Sequence, residues 1–425
     1  MDAISDPALA ALRTAFEADD AATVRAILDR QPALRAKIDE PIGPFDSPAI
    51  LHVRSRAMLD ALLDAGADVD ARSRWWAGGF GLLDSADPEL ATYAVERGAT
   101  VTVHAAARLG WMDDLRRRIG TEASLVHARG GDGKTPLHFA GTVEVAAYLL
   151  EQDADIDALD VDHESTPAQH MLDDRVEVAR LLVARGCRTD LLMAAALGDV
   201  ELARRHLDAE PGSIRLRVDG ECFPMKDPRA GGTIYQWTLG FHATPHQVAR
   251  RRGHREILEL LLERSPPEVA LLDACWDGDD ERARALRARH PGLVAGLAPA
   301  DRRQVAHAAR NHDATAVRLM LEHGWPADAT GQHGATPLHW AAFHGHRAMA
   351  EEILRHDPPL EVNDADFAST PLGWAIHGSE HGWHCRTGDY AGTVEALLRA
   401  GAKPPEEPAG SAAVRAVLGR AGGEG

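Results

Sequence analysis

The 425-residue chain is short of several things, and each shortage excludes a class of protein. It has only four cysteines, Cys187, Cys222, Cys275 and Cys385, far apart in sequence. They make no CxxC pair and no disulfide framework, and a reducing cytosol suits them. Basic residues are in the minority, 46 against 65 acidic ones, for a net charge of −19. Such a surface repels phosphate backbones and anionic membranes, so no nucleic-acid partner is expected. No run approaches the ~18 to 20 apolar residues that cross a bilayer. The first residues, MDAISDPALAALRTAFEADD, lack the basic start and apolar run of a signal peptide. A cytoplasmic chain with no membrane partner is the expectation. Catalytic signatures are missing too: there is no P-loop, no GxSxG, no dinucleotide fingerprint and no HExxH.

What the chain has is repetition. GATPLHWAAFHGHRAMAEEILRHD, from Gly334, reads as a turn, a capped apolar helix, a Gly-His break and a second helix. GDGKTPLHFAGTVEVAAYLLEQDADID, from Gly131, repeats it, as do STPAQHMLDDRVEVARLLVARG, HATPHQVARRRGHREILELLLERS and STPLGWAIHG with VEALLRAGA. Weaker copies lie between them, including VHAAARLGWMDDLRRRIG and VAHAARNHDATAVRLMLEHG. Threonine before the first helix can cap free N–H groups, and proline at its first position has no N–H to lose.

These motifs resemble the ankyrin repeat, as roughly a dozen units of about 33 residues over nearly the whole chain. The resemblance implies an all-α, ankyrin-repeat solenoid of stacked helix-turn-helix units with hairpin loops, one array over residues 1–425. Within it, residues 1–45 read as an N-terminal capping helix pair and 211–243 as a long inter-repeat connection. Residues 378–390 read as an insertion in the last full repeat, and 403–425 as a proline-rich link and C-terminal capping helix. The resemblance also assigns many of the 22 histidines to the repeat itself. His138 and His339 are the motif histidines that join neighbouring turns.

Other residues stand out against this pattern. Aligning the units places Trp75, His163, Phe241, His333 and Phe367 at hairpin tips, with Trp76 beside Trp75. Tyr235 and Trp237 lie in the long connection, and Trp340 and Trp374 share one register, read as the exposed side of the inner helix. Aromatics at loop tips are costly to leave wet and suggest a contact surface. His344, His377 and Trp383 extend this surface at its C-terminal end. The insertion, HGSEHGWHCRTGDY, holds His377, His381, His384 and Cys385 in an H-x3-H-x2-H-C pattern. Imidazole and thiolate are zinc or iron ligands, but the spacing fits no standard pattern, and Gly378 and Gly382 loosen the frame.

The expected function is a non-catalytic scaffold, without a cofactor, that binds a protein or peptide with apolar and basic groups along a concave groove. The alternative is a small-molecule-binding protein or enzyme, metal-dependent or not, with a pocket at the groove's C-terminal end. Self-association through the same aromatic tips stays open. The histidines His333, His344, His377, His381 and His384 would also permit a pH-sensitive grip, since protonation near pH 6 would make the groove less acidic.

Overall fold

The computed structural model describes residues 7–422. The start of the expected 1–45 cap and the end of the 403–425 cap, residues 1–6 and 423–425, lie outside the described residues. Among the described residues the chain is all-α: short helices alternate with turns, no strand forms, and one isolated bridge joins Gly43 to Ser47.

The repeat unit follows from its motif. Thr336 is extended and precedes helix Pro337–Phe343, whose first residue is the proline that needs no N–H partner. The His339 ring does the rest. Its Nδ1 accepts from the Thr336 N–H at 3.1 Å, and its Nε2–H donates to the Ser369 carbonyl at 3.1 Å in the next hairpin. His138 does the same with Thr135 and, at 3.1 Å, with Ser165. One neutral imidazole thus caps the start of a helix and fastens the following unit. Burial pushes both rings below the usual histidine range, which keeps them neutral and able to accept. A left-handed turn at Gly345 and a cap by His346, which accepts the Met349 N–H at 3.2 Å, start the outer helix Arg347–Leu354.

The described residues divide into two compact units, one of residues up to Leu197 with Arg217–Phe241, the other of Gly198–Leu216 with the residues from His242. In the first unit, residues 217–241 are tied to the hairpin before Thr166. The backbone N–H groups of Lys226 and Asp227 donate to Glu164, that of Gly231 to the Asp162 carbonyl, and that of Ile234 to the Ser165 hydroxyl. Tyr235, expected on the binding surface, is fully buried by this folding back. Its hydroxyl donates to Asp190 at 2.8 Å, so it is a core residue.

In the second unit the inner helices Gln304–Arg310, Pro337–Phe343 and Pro371–His381 share one core with the outer helices. Alanines at 308, 309, 341, 342 and 375 are fully buried, which lets the inner helices approach closely. Helix Ala412–Gly422 closes the unit by placing Val414, Val417 and Leu418 in that core.

Candidate functional site: an aromatic and histidine face in the second unit

The insertion is half helix. Pro371–His381 runs 11 residues where Pro337–Phe343 runs seven, so His377 and His381 stand one turn apart on the extended helix. Both are exposed, and their rings are 4.9 Å apart. Residues 382–389 then turn back to Asp389, which caps helix Tyr390–Arg399 by accepting the Gly392 N–H at 2.9 Å. The glycines here do not loosen the frame; they allow contact. A Cβ on Gly378 would lie 2.5 Å from the Phe343 carbonyl oxygen, and one on Gly388 2.6 Å from that of His344. Tyr390 closes the same seam, its hydroxyl donating to the Phe343 carbonyl at 2.8 Å. Burial pushes that phenol up to about 12. Gly388→Ala should therefore unseat the insertion at a cost of about 1–3 kcal/mol of overpacking. Trypsin cleavage after the exposed Arg386 should quicken by about tenfold, read on a gel time course.

Seating the insertion assembles the aromatics. Trp340 and Trp374 are not on an exposed register: they are 3% and 6% exposed and meet edge to face at 5.0 Å. The Trp374 indole N–H donates to Asp364 at 2.9 Å. Burial opposes the charge of Asp364, but the Phe367, Ser369 and Asp366 backbone N–H groups and the indole outweigh it, holding its carboxyl below the usual range. On this floor stand two side chains in water, Phe367 at 64% and Trp383 at 60% exposure. Trp383 stacks on Trp340 at 6.0 Å and meets Phe343 edge-on at 5.4 Å. Phe367 lies 5.4 Å from the half-buried His333, whose Nδ1 contacts the Asp366 carboxylate at 2.7 Å. The Arg310 guanidinium sits over both indoles, 5.6 Å from Trp340 and 5.4 Å from Trp383. Burial pushes it down to about 10, still protonated at neutral pH.

The hairpin, capped helix, left-handed turn and outer helix built by the TPLH motif have counterparts in known sequences. Residues 246–366 and 305–405 match the family described as ankyrin repeats in three copies, and residues 132–161 match the ankyrin repeat. Residues 132–161 and 246–405 of the chain carry ankyrin repeats. The chain is similar to palmitoyltransferase Hip14 of Drosophila melanogaster, with 28% identity over 142 residues, 32% of this chain and 21% of that one. It is also similar to the E3 ubiquitin-protein ligase XB3 of Oryza sativa subsp. japonica, with 34% identity over 94 residues, 22% of this chain and 21% of that one. The chain thus spans about a fifth of the length of either relative.

Within the matched repeats the four insertion residues considered as metal ligands do not converge on one point. His377 and His381 pair with each other, and Cys385 is exposed. His384 turns instead toward His312 and His344, two residues from other repeats. His344 is 1% exposed, and burial pushes its pKa down to about 4. It stays neutral at pH 6 and drops out of the pH-sensitive set.

The aromatics of the first unit form separate groups. Trp75 packs on Phe45 at 4.9 Å and on Trp76 at 6.1 Å, and Arg229 covers Trp76 at 4.3 Å. Trp237, 55% exposed, lies against His163 and Phe241 at 4.8 and 5.9 Å. A cleft of about 470 Å³ also opens in this unit, lined by Arg72, Val103, His104, Arg118, Arg129 and Val161 rather than by the insertion. Among the described residues, no helix is long and apolar enough to cross a membrane.

Sequence reasoning missed Arg310, Phe343 and His312. For His312 a signal existed. Its position between the two helices is held by glycine in five other units, Gly110, Gly198, Gly253, Gly278 and Gly345, all left-handed. His312 takes the same conformation, with φ 62°.

Proposed function

We propose that the chain is a protein-interaction module whose second unit binds a peptide segment carrying apolar and basic groups. Ankyrin repeats mediate protein–protein binding, and the aromatic face supports placing that activity here. The observation that carries the reading is the exposure of Phe367 and Trp383, more than half in water, above a floor of buried tryptophans. Large side chains left wet beside a rigid apolar floor are the pattern of interface anchors. The exposed Asp366 carboxylate offers a partner for a basic group, and Arg310 on the two indoles illustrates a guanidinium finding those rings favourable.

The test is a peptide-display selection against the full chain, followed by affinities for the enriched peptides. Enriched sequences should combine an aromatic or aliphatic anchor with arginine or lysine. Phe367→Ala and Trp383→Ala should each weaken binding by about 30-fold, near 2 kcal/mol. Trp237→Ala, in the other unit, should leave it unchanged. Affinities that ignore both Phe367 and Trp383 would place the activity elsewhere.

A further inference from the structure

We propose that His312, His344 and His384 form a binding site for a divalent cation of the zinc class. The three come from three separate turns, and one ring nitrogen of each lies within 4.8 Å of the others. His312 Nδ1 and His384 Nε2 are 3.1 Å apart. Around a tetrahedral zinc ion, Zn–N bonds of about 2.0–2.1 Å place neighbouring nitrogens about 3.3 Å from one another. The pair is already close to that spacing, and a nitrogen of His344 lies within 4.8 Å of both.

His344 distinguishes this cluster from a chance meeting of rings. It is 1% exposed, and its Nε2–H donates to the Arg310 carbonyl at 2.9 Å. That bond fixes the tautomer and leaves Nδ1 as a bare lone pair. This Nδ1 is buried and has no hydrogen-bond partner. A buried acceptor without a partner is costly, and a ligating histidine whose other nitrogen donates to a carbonyl is the usual arrangement around a metal. Burial, with the neighbouring His312 and His384 rings, favours the neutral form that binds metal. His312 stacks on His344 at 4.9 Å with 5° between the rings, and it occupies a left-handed turn where other units have glycine. Glycine is the default residue at such a position, and here a histidine stands in its place. His346 flanks the group, but its Nδ1 already caps the next helix.

Two other clusters also hold a buried atom without a hydrogen-bond partner, His170 Nε2 and Asp162 Oδ1, but each is opposed by its neighbours. His138, Asp160 and His170 converge, but both His138 nitrogens serve the repeat and Asp160 accepts the His163 and Ser165 N–H groups. Asp132, Asp162 and His163 converge beside the Lys134 ammonium, 2.9 Å from Asp132, which opposes a cation. Of these three clusters among the described residues, the His312 cluster alone combines an open imidazole lone pair on a ring fixed by a carbonyl with the absence of an ammonium paired to a ligand. Three nitrogens leave zinc one coordination position for water or for a group from a partner. A bound ion would clamp residue 384 to the 310–313 turn and so hold Trp383 on Trp340.

The experiment is calorimetric titration of Zn²⁺ into the tag-free full chain at pH 7.5 after chelator treatment, with thermal melts alongside. One equivalent should bind and raise the melting midpoint. His384→Ala and His312→Gly, which suits the left-handed turn, should weaken binding by about 100-fold or more and abolish the shift, while retaining helical circular dichroism. A His377→Ala/His381→Ala double variant should bind as the parent does. Absence of saturable binding would overturn the site. So would binding that survives in both His312→Gly and His384→Ala, or that disappears with the His377 and His381 pair.

Discussion

Trp374→Ala should lower the stability of the second unit by about 4 kcal/mol, and the melting midpoint by roughly 10 °C. Three losses add. A large indole that is 94% buried leaves a hole that its rigid neighbours cannot fill, because the helix around it rests on fully buried Ala375 and on Trp340. The edge-to-face contacts with Trp340, at 5.0 Å, and Phe343, at 5.7 Å, go with it. Asp364, a buried carboxylate, also loses one of its donors. Trp374→Phe separates these terms. The ring remains, but the bond to Asp364 does not, and the cost should fall to about 1.5 kcal/mol, since the Phe367, Ser369 and Asp366 N–H groups still hold the carboxylate. Thermal melts at the helical band would check both. Equal losses in the two variants would mean that the hydrogen bond, not the packing, matters.

The second large effect is acid lability. His344 has a pKa near 4 in the fold and near 6.5 when unfolded. Between those values the unfolded chain holds a proton that the folded chain refuses. The contribution of His344 is therefore complete above about pH 6.5 and is lost as the pH falls toward 4, amounting to about 3 kcal/mol. His138 and His170, both driven well down by burial, act in the same direction. The melting midpoint should be flat from pH 8 to 7 and drop steeply from 6.5 to 4. In His344→Phe the drop should be shallower, even though this variant starts lower for want of the bond to Arg310. An unchanged slope would remove His344 from the account.

Much of the fold was legible because its repeat is local. Thr-Pro-Leu-His carries its own cap, first helical residue and inter-repeat bond, so His138 and His339 could be placed from four letters. What was hidden depends on contacts between distant residues. Tyr235 reads as an exposed aromatic in a long link; only the return of that link onto the 160–166 hairpin buries it. Trp340 and Trp374 read as a surface register, and the insertion that covers the inner helix gives them a roof. Gly378 and Gly382 read as slack, whereas each sits where a Cβ would collide with backbone. His384 was singled out with its sequence neighbours, but its companions come from 72 and 40 residues away, His312 and His344. The substitution of histidine for a turn glycine at 312 was the one local clue to that grouping.

The central claim is that the aromatic face of the second unit binds the partner. Hydrogen–deuterium exchange of the full chain, with and without a display-selected peptide, tests it most directly. Binding should slow exchange in residues 331–345 and 364–388, which carry His333, Trp340, His344, Phe367 and Trp383, and leave the Trp75 and Trp237 segments unchanged. Protection confined to residues 72–80 and 233–241, with none around Phe367 and Trp383, would contradict it.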